Sequence, residues 1–222
     1  MDAASTGADL KGEQATSWTL RTRRAIERHL PIEHLLPDRQ PYYVGSWVYV
    51  FGVVTIAALV WVIVSGIVLS LFGPQWWHLS SAGRFFNSVH FWAVQLFFVF
   101  MVLHLWGQYF MASWREGRAP TWMIGVVTFA VSIVAAFTGY LSQQNFAAQW
   151  VAVNAKDAVN STGIGGFFNV LNFGQMFGLH VMILPIGITL LVVLHIVQVR
   201  MKGVVPPIGH EQRADVSWEV DR

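Results

Sequence analysis

The chain has no cysteine and very little charge. Without thiols it can form no disulfide, supply no thiolate to an iron–sulfur cluster and tether no haem through thioether bonds. Only 12% of its 222 residues are charged and 55% are hydrophobic, about half the charge usual in a soluble domain. Mean hydropathy is +0.49, and the balance points to a bilayer. The net charge of +2 provides no basic footprint for nucleic acid, despite a pI near 9.2. Asp and Glu are missing from every long apolar run, which argues against a metal-cation transporter. The N-terminal segment also lacks the short hydrophobic stretch of a cleavable signal peptide.

What is abundant is apolar sequence in four blocks, near residues 45–73, 88–112, 122–141 and 174–199. Each is long enough to cross the hydrocarbon core as a helix. The expected fold class is therefore an all-α integral membrane protein, a bundle of four transmembrane helices over residues 41–205. A polar N-terminal segment (1–40) precedes it and a polar tail (206–222) follows. Within the first segment, residues 18–30 read either as an amphipathic helix on the membrane, with Trp18, Leu20, Ile26 and Leu30 toward lipid, or as a solvated basic tail. Four crossings put Arg21, Arg23, Arg24, Arg28, Arg115, Arg118, Arg200 and Lys202 on one side. The positive-inside rule makes that side, with both termini, cytoplasmic. On the outer side lie expected loops near 74–87 and 142–173, the longer one interfacial. Trp76, Trp77, Trp114, Trp122 and Trp150 fall near span ends, where aromatic belts form.

The chemistry is concentrated in the second and fourth blocks. His90 and His104 are separated by 14 residues, His180 and His195 by 15 (180 to 195). These intervals are roughly 3.9 and 4.2 helical turns, so each pair returns to nearly one face, about 21 Å apart along the axis. A single intramembrane histidine is as readily satisfied by a hydroxyl or a carbonyl. Four at matched depths point instead to a shared function. Facing helices would present two stacked His/His pairs, His90 with His180 and His104 with His195. Two imidazoles close a six-coordinate haem iron that passes electrons without opening to substrate. In the other two blocks Gly52/Gly66 and Gly125/Gly139 repeat the 14-residue interval. Glycine lets a backbone approach either a neighbouring helix or a flat macrocycle. The matched spacing favours the second, with two haems b between histidines of the second and fourth spans and glycines of the first and third.

These residues carry a family resemblance. The chain resembles the N-terminal, haem-bearing part of cytochrome b from quinol-oxidising bc complexes, most closely the short split form of the b6f complex, over about residues 40–205. The motifs are Gly52/Gly66, Ser88-Val89-His90 with Trp92, His104, Thr121-Trp122 with Gly125, Thr138-Gly139-Tyr140 and His180/His195. The 14-then-15 histidine spacing matches the split form. The resemblance implies that His90 and His180 ligate a lower-potential outer haem b, and His104 and His195 a higher-potential inner one. It implies an electron-transfer subunit of an oxidoreductase that exchanges electrons with quinol and quinone and has no catalytic side chain of its own. The partners implied are a Rieske iron–sulfur protein, a c-type cytochrome and a companion membrane subunit supplying the C-terminal part of cytochrome b, in a dimeric complex in the cell membrane. Arg200 matches a basic family position that can pair with an inner propionate, or else it is a cytoplasmic flank.

The chain departs from the pattern at three places. Many members have an arginine three residues before the first histidine, where Asn87 stands here, and Arg84, one turn earlier, is a candidate substitute. After Thr138-Gly139-Tyr140 the family usually continues Ser-Leu-Pro-Trp, but this chain reads Leu141-Ser142-Gln143-Gln144-Asn145-Phe146. The outer quinol pocket is therefore rebuilt. The cysteine that tethers an extra c-type haem in the split photosynthetic form is also missing. The alternative reading is a haem b membrane anchor linking the quinone pool to a molybdenum enzyme or hydrogenase without bifurcation.

Overall fold

In the computed structural model, residues 18–29 and 41–209 are described. Among them the regular elements are helical. We number the helices α1 (Trp18–His29), α2 (Trp47–Leu79), α3 (Ser81–Phe110), α4 (Ala119–Leu141), α5 (Phe146–Ser161) and α6 (Phe173–Lys202). Four of them, α2, α3, α4 and α6, are long and apolar enough to cross a membrane. Their outward faces carry large apolar side chains, among them Trp61, Trp92 and Trp106, each more than 60% exposed. Such a surface needs lipid rather than water. Helix α1 coincides with the expected surface segment and exposes Trp18 and Ile26. Leu30, most of the 1–40 segment and the tail beyond 209 lie outside the described residues.

The spans are longer than the apolar blocks, and the expected loop at 74–87 is helix. Gly73, at φ 77° and ψ −180°, leaves the helical region and with Pro74 interrupts α2, which resumes as a short helical segment to Leu79. A proline lacks the N–H an inner turn needs, and only glycine takes a positive φ without strain, so the pair breaks the helix for one residue at the edge of the expected loop. Ser80 alone joins α2 to α3, and its hydroxyl accepts from the Gly83 amide at 2.8 Å. Gly83 lies directly on the backbone of Trp76 and Trp77, where a Cβ would fall 2.6 Å from the Trp77 Cα. Backbone cannot yield as a side chain can. Gly83→Ala should therefore destabilise the elbow by about 1–3 kcal/mol, the usual cost of overpacking, measured as a lowered midpoint of thermal unfolding.

The expected outer loop at 142–173 contains α5. Asn145 caps it by accepting from the Ala148 amide at 2.8 Å. Its Ala148 and Ala152 are buried, and Ala152 packs with Leu141, Val170 and Met176. At the opposite end the chain after α6 is held down at several points. The Tyr49 hydroxyl donates to the Val205 carbonyl at 2.7 Å, Arg118 to the Lys202 carbonyl at 3.2 Å, and Arg115 to that of Pro206. Between the two ends lies the apolar core of Ala58, Leu59, Phe97, Met101 and Ile188, with Phe129 and Val131 against it.

Helix α6 is not uniform. It winds as a wide π-helical turn at Leu179–Ile183, which contains His180. A π turn accommodates one extra residue. The interval from His180 to His195 therefore subtends about the same rotation as the shorter one in α3.

Candidate cofactor site

Each imidazole is presented by a span and met by the glycine of a neighbouring one. At the α5 end, His90 of α3 faces His180 of α6, with ring centroids 6.2 Å apart and planes at 89°. At the other end, His104 faces His195 at 6.5 Å and 88°. The four glycines lie against these rings. A Cβ on Gly66 would fall 3.2 Å from His90 Cε1, one on Gly125 3.2 Å from His195 Cε1, one on Gly52 3.0 Å from His104 Cε1, and one on Gly139 2.8 Å from His180 Nδ1. All eight residues singled out by spacing are thus gathered into two layers of four. Midway between the layers in sequence stand Leu59, Phe97, Ser132 and Ile188, all buried. They separate the sites.

The glycines also explain how the rings are oriented. His90 Nδ1 lies 3.1 Å from the Val62 carbonyl, His180 Nδ1 2.9 Å from that of Ala135, and His195 Nδ1 3.0 Å from that of Thr121. Each acceptor is the residue four before the facing glycine, one helical turn away. That carbonyl already accepts the glycine's own helical N–H, and the missing side chain leaves room for its second lone pair to be used. A carbonyl can only accept, so Nδ1 carries the proton in all three. The Nε2 lone pair is thereby left free for a ligand. The arrangement gives three rings the tautomer a metal requires.

Two imidazoles alone make an incomplete metal site, and no group of three or more His, Cys, Asp or Glu occurs among the described residues. The remaining ligands must come with the metal. The spacing suits that arrangement, because two metal–imidazole bonds of about 2 Å, with about 1 Å from nitrogen to ring centre on each side, separate the centroids by roughly 6 Å. Beside the His90/His180 pair is a cavity of about 450 Å³, within the usual range for small-molecule and cofactor sites. The residues present therefore fit a haem whose macrocycle lies between the pairs of spans.

The cavity at this end has a neutral rim. Asn87, Ser88, Gln95, Ser142, Gln143 and Asn145 contribute to its lining, and no charged side chain does. Two of the departures from the family pattern meet here. The Asn87 amide donates to Gln143 Oε1 at 3.1 Å, and Gln143 returns a bond to Asn87 Oδ1 at 3.0 Å. His78 Nε2 adds a bond to the Gln143 carbonyl at 2.7 Å. Arg84 lies outside the cavity lining, exposed, and donates to the His78 carbonyl and the Ser81 hydroxyl. Trp77, expected in an interfacial belt, is buried and lines the cavity, with its indole N–H unpartnered. Arg200 sits exposed at the far end of α6.

Sequence reasoning missed the carbonyl acceptors, Ser65 and Gln143. The first could have been found by counting four residues back from each glycine. The Asn87–Gln143 pairing joins residues far apart in sequence and leaves no local trace.

Comparisons with known proteins bear on the family. The family model described as cytochrome b (N-terminal)/b6/petB matches residues 95–220. Cytochrome b of Schizosaccharomyces octosporus is 30% identical over 186 residues, covering 74% of this chain and 48% of that protein. The menaquinol:cytochrome c reductase cytochrome b subunit of Geobacillus thermodenitrificans is 26% identical, covering 83% of this chain and 92% of that one. Cytochrome b6 of Heliomicrobium gestii is 26% identical over 57% of this chain and 64% of its own length. A chain of the solved hyperthermophilic respiratory Complex III shares the fold with a TM-score of 0.66 at 20% identity, over 91% of this chain and 56% of that one. The chain thus spans about half the length of the cytochrome b from Schizosaccharomyces.

Proposed function

Because the chain belongs to the N-terminal cytochrome b/b6 family, we propose that it is the di-haem b subunit through which a quinol-oxidising bc-type complex carries electrons across the membrane. The observation that carries this reading is the pair of facing imidazoles in each of two layers, 6.2 and 6.5 Å apart. His90 and His180 would hold one haem b and His104 and His195 the other. When bound, these groups supply one-electron redox chemistry without a free coordination position.

The chain's own residues do the rest. Gly52, Gly66, Gly125 and Gly139 admit the imidazoles, and the carbonyls of Val62, Ala135 and Thr121 set ring orientation. Thr121 is itself steadied by a 2.9 Å bond from its hydroxyl to Gln198. Apolar outer faces keep the bundle in lipid, where quinol and quinone dissolve. The end bearing Arg115, Arg118, Arg200 and Lys202 would be cytoplasmic, with both termini. The His90/His180 pair is then outer and the His104/His195 pair inner. A Rieske protein, a c-type cytochrome and a companion subunit carrying the C-terminal part of cytochrome b are the partners this reading implies, in a dimeric complex. The membrane-anchor alternative has no finding in its favour, since the relatives bear the names of bc and b6 subunits.

Quinol added to the intact purified complex should reduce haem b, and quinone should reoxidise it, as followed by difference absorbance. A complex that does neither overturns the quinone step. Copurification with a large molybdenum or nickel subunit in place of a Rieske protein would overturn the bc assignment.

A further inference from the structure

The fourth imidazole breaks the pattern of the other three. His104 Nδ1 is buried without a hydrogen-bond partner. The acceptor expected four residues before its glycine, the Val48 carbonyl, does not engage it. His90 is the opposite extreme, because its Nδ1 meets both the Val62 carbonyl at 3.1 Å and the Ser65 hydroxyl at 3.0 Å. The Ser65 hydroxyl proton is already donated to the Trp61 carbonyl at 2.6 Å. Its oxygen is therefore an acceptor toward His90.

One part of the difference, the hydroxyl acceptor, follows from one residue. Ser65 immediately precedes Gly66, and Phe51 immediately precedes Gly52, at the equivalent step of the 14-residue repeat (51 to 65). Phe51 offers no acceptor and turns its ring to Phe100, with centroids 6.4 Å apart. Donation from Nδ1–H pushes electron density toward Nε2, makes the imidazole a stronger ligand and favours the more positively charged, oxidised metal. An imidazole with an unpartnered Nδ1–H is a weaker donor.

We propose that Ser65 and Phe51 are the positioning residues that make the two centres unequal: Ser65 strengthens His90 and renders the His90/His180 centre more reducing, while Phe51 leaves His104 untied and the His104/His195 centre more oxidising. An electron on the first centre then runs downhill to the second, in the direction quinol oxidation on the outer side requires. The inference rests on the di-haem reading and adds to it a cause in this chain's own residues.

The test uses the intact complex in membranes, with redox titration of each haem b component. Phe51→Ser should lower the midpoint of the His104/His195 centre by about one tenfold step in equilibrium constant, roughly 59 mV for one electron, and leave the other centre unchanged. Phe51→Ala opens the same space without a hydroxyl and should not reproduce that fall. Ser65→Ala should raise the midpoint of the His90/His180 centre. Proton electron–nuclear double resonance should show one of the four Nδ1–H protons free of an acceptor. Equal shifts in Phe51→Ser and Phe51→Ala, no response to Ser65→Ala, or four equally bonded Nδ1–H protons would overturn the proposal while leaving the di-haem reading intact. Absence of haem from the wild-type complex would instead remove the di-haem reading itself.

Discussion

His90→Ala should leave the bundle with one haem b in place of two, and His180→Ala should remove the same spectral component. The two imidazoles of a layer face each other 6.2 Å apart, so neither can be replaced by another donor without rebuilding the layer. His104→Ala and His195→Ala should remove the other component, since that layer is separated from the first by the packed wall around Leu59, Phe97 and Ile188. Losses within a layer should not add, because removing one ligand already opens the six-coordinate site. Losses in different layers should add to complete loss. The measurement is haem-to-protein ratio with reduced-minus-oxidised spectra of each single variant and of the double variants within and between layers. Single variants that retain full haem content would overturn the ligand assignment.

Gly139→Ala should cost nearly as much as losing the ligand, although only one methyl is added. Alanine is favoured over glycine in a helix by about 1 kcal/mol, so propensity alone argues for a gain. The surroundings reverse it. The new Cβ would fall 2.8 Å from His180 Nδ1 and 2.9 Å from Nε2, closer than real side chains approach. The ring cannot swing away, because its Nδ1 is bonded to the Ala135 carbonyl at 2.9 Å and its Nε2 must face His90. Overpacking of this kind costs about 1–3 kcal/mol, and here relief comes only by moving the ligand. The His90/His180 component should therefore be lost or strongly reduced in haem content. Gly66→Ala and Gly125→Ala, with first contacts at 3.2 Å, should keep both haems with altered band positions. A Gly139→Ala protein with full haem content and an unchanged spectrum would show that the close approach does not constrain the ring.

These ranks could not have been read from spacing. The glycine repeat identifies four positions as equivalent, yet the contact distances separate them. The same holds for the histidines, where nearly equal intervals conceal three anchored rings and one untied ring. The longer interval in α6 reads in sequence as a slightly worse helical phase. The π turn at Leu179–Ile183 removes the discrepancy. Segment 74–87 opens at Gly73-Pro74 and read as a loop, because the pair usually breaks a helix. Here it does interrupt one at Gly73, but the chain resumes helix at once, since both sides pack against α3. Helix α5 was hidden because its buried face is little more than two alanines, too small to register as an apolar block.

The amino-acid sequence by itself determined the membrane setting, the number of crossings, and the two sets of histidines and glycines, because lipid demands long apolar runs and helical periodicity converts intervals into depth and face. Tertiary structure decided how tightly each glycine meets its ring and which Nδ1 finds an acceptor. Those outcomes depend on contacts between helices that are remote in the chain. A carbonyl one turn before a glycine becomes available only when a neighbouring span brings an N–H to it.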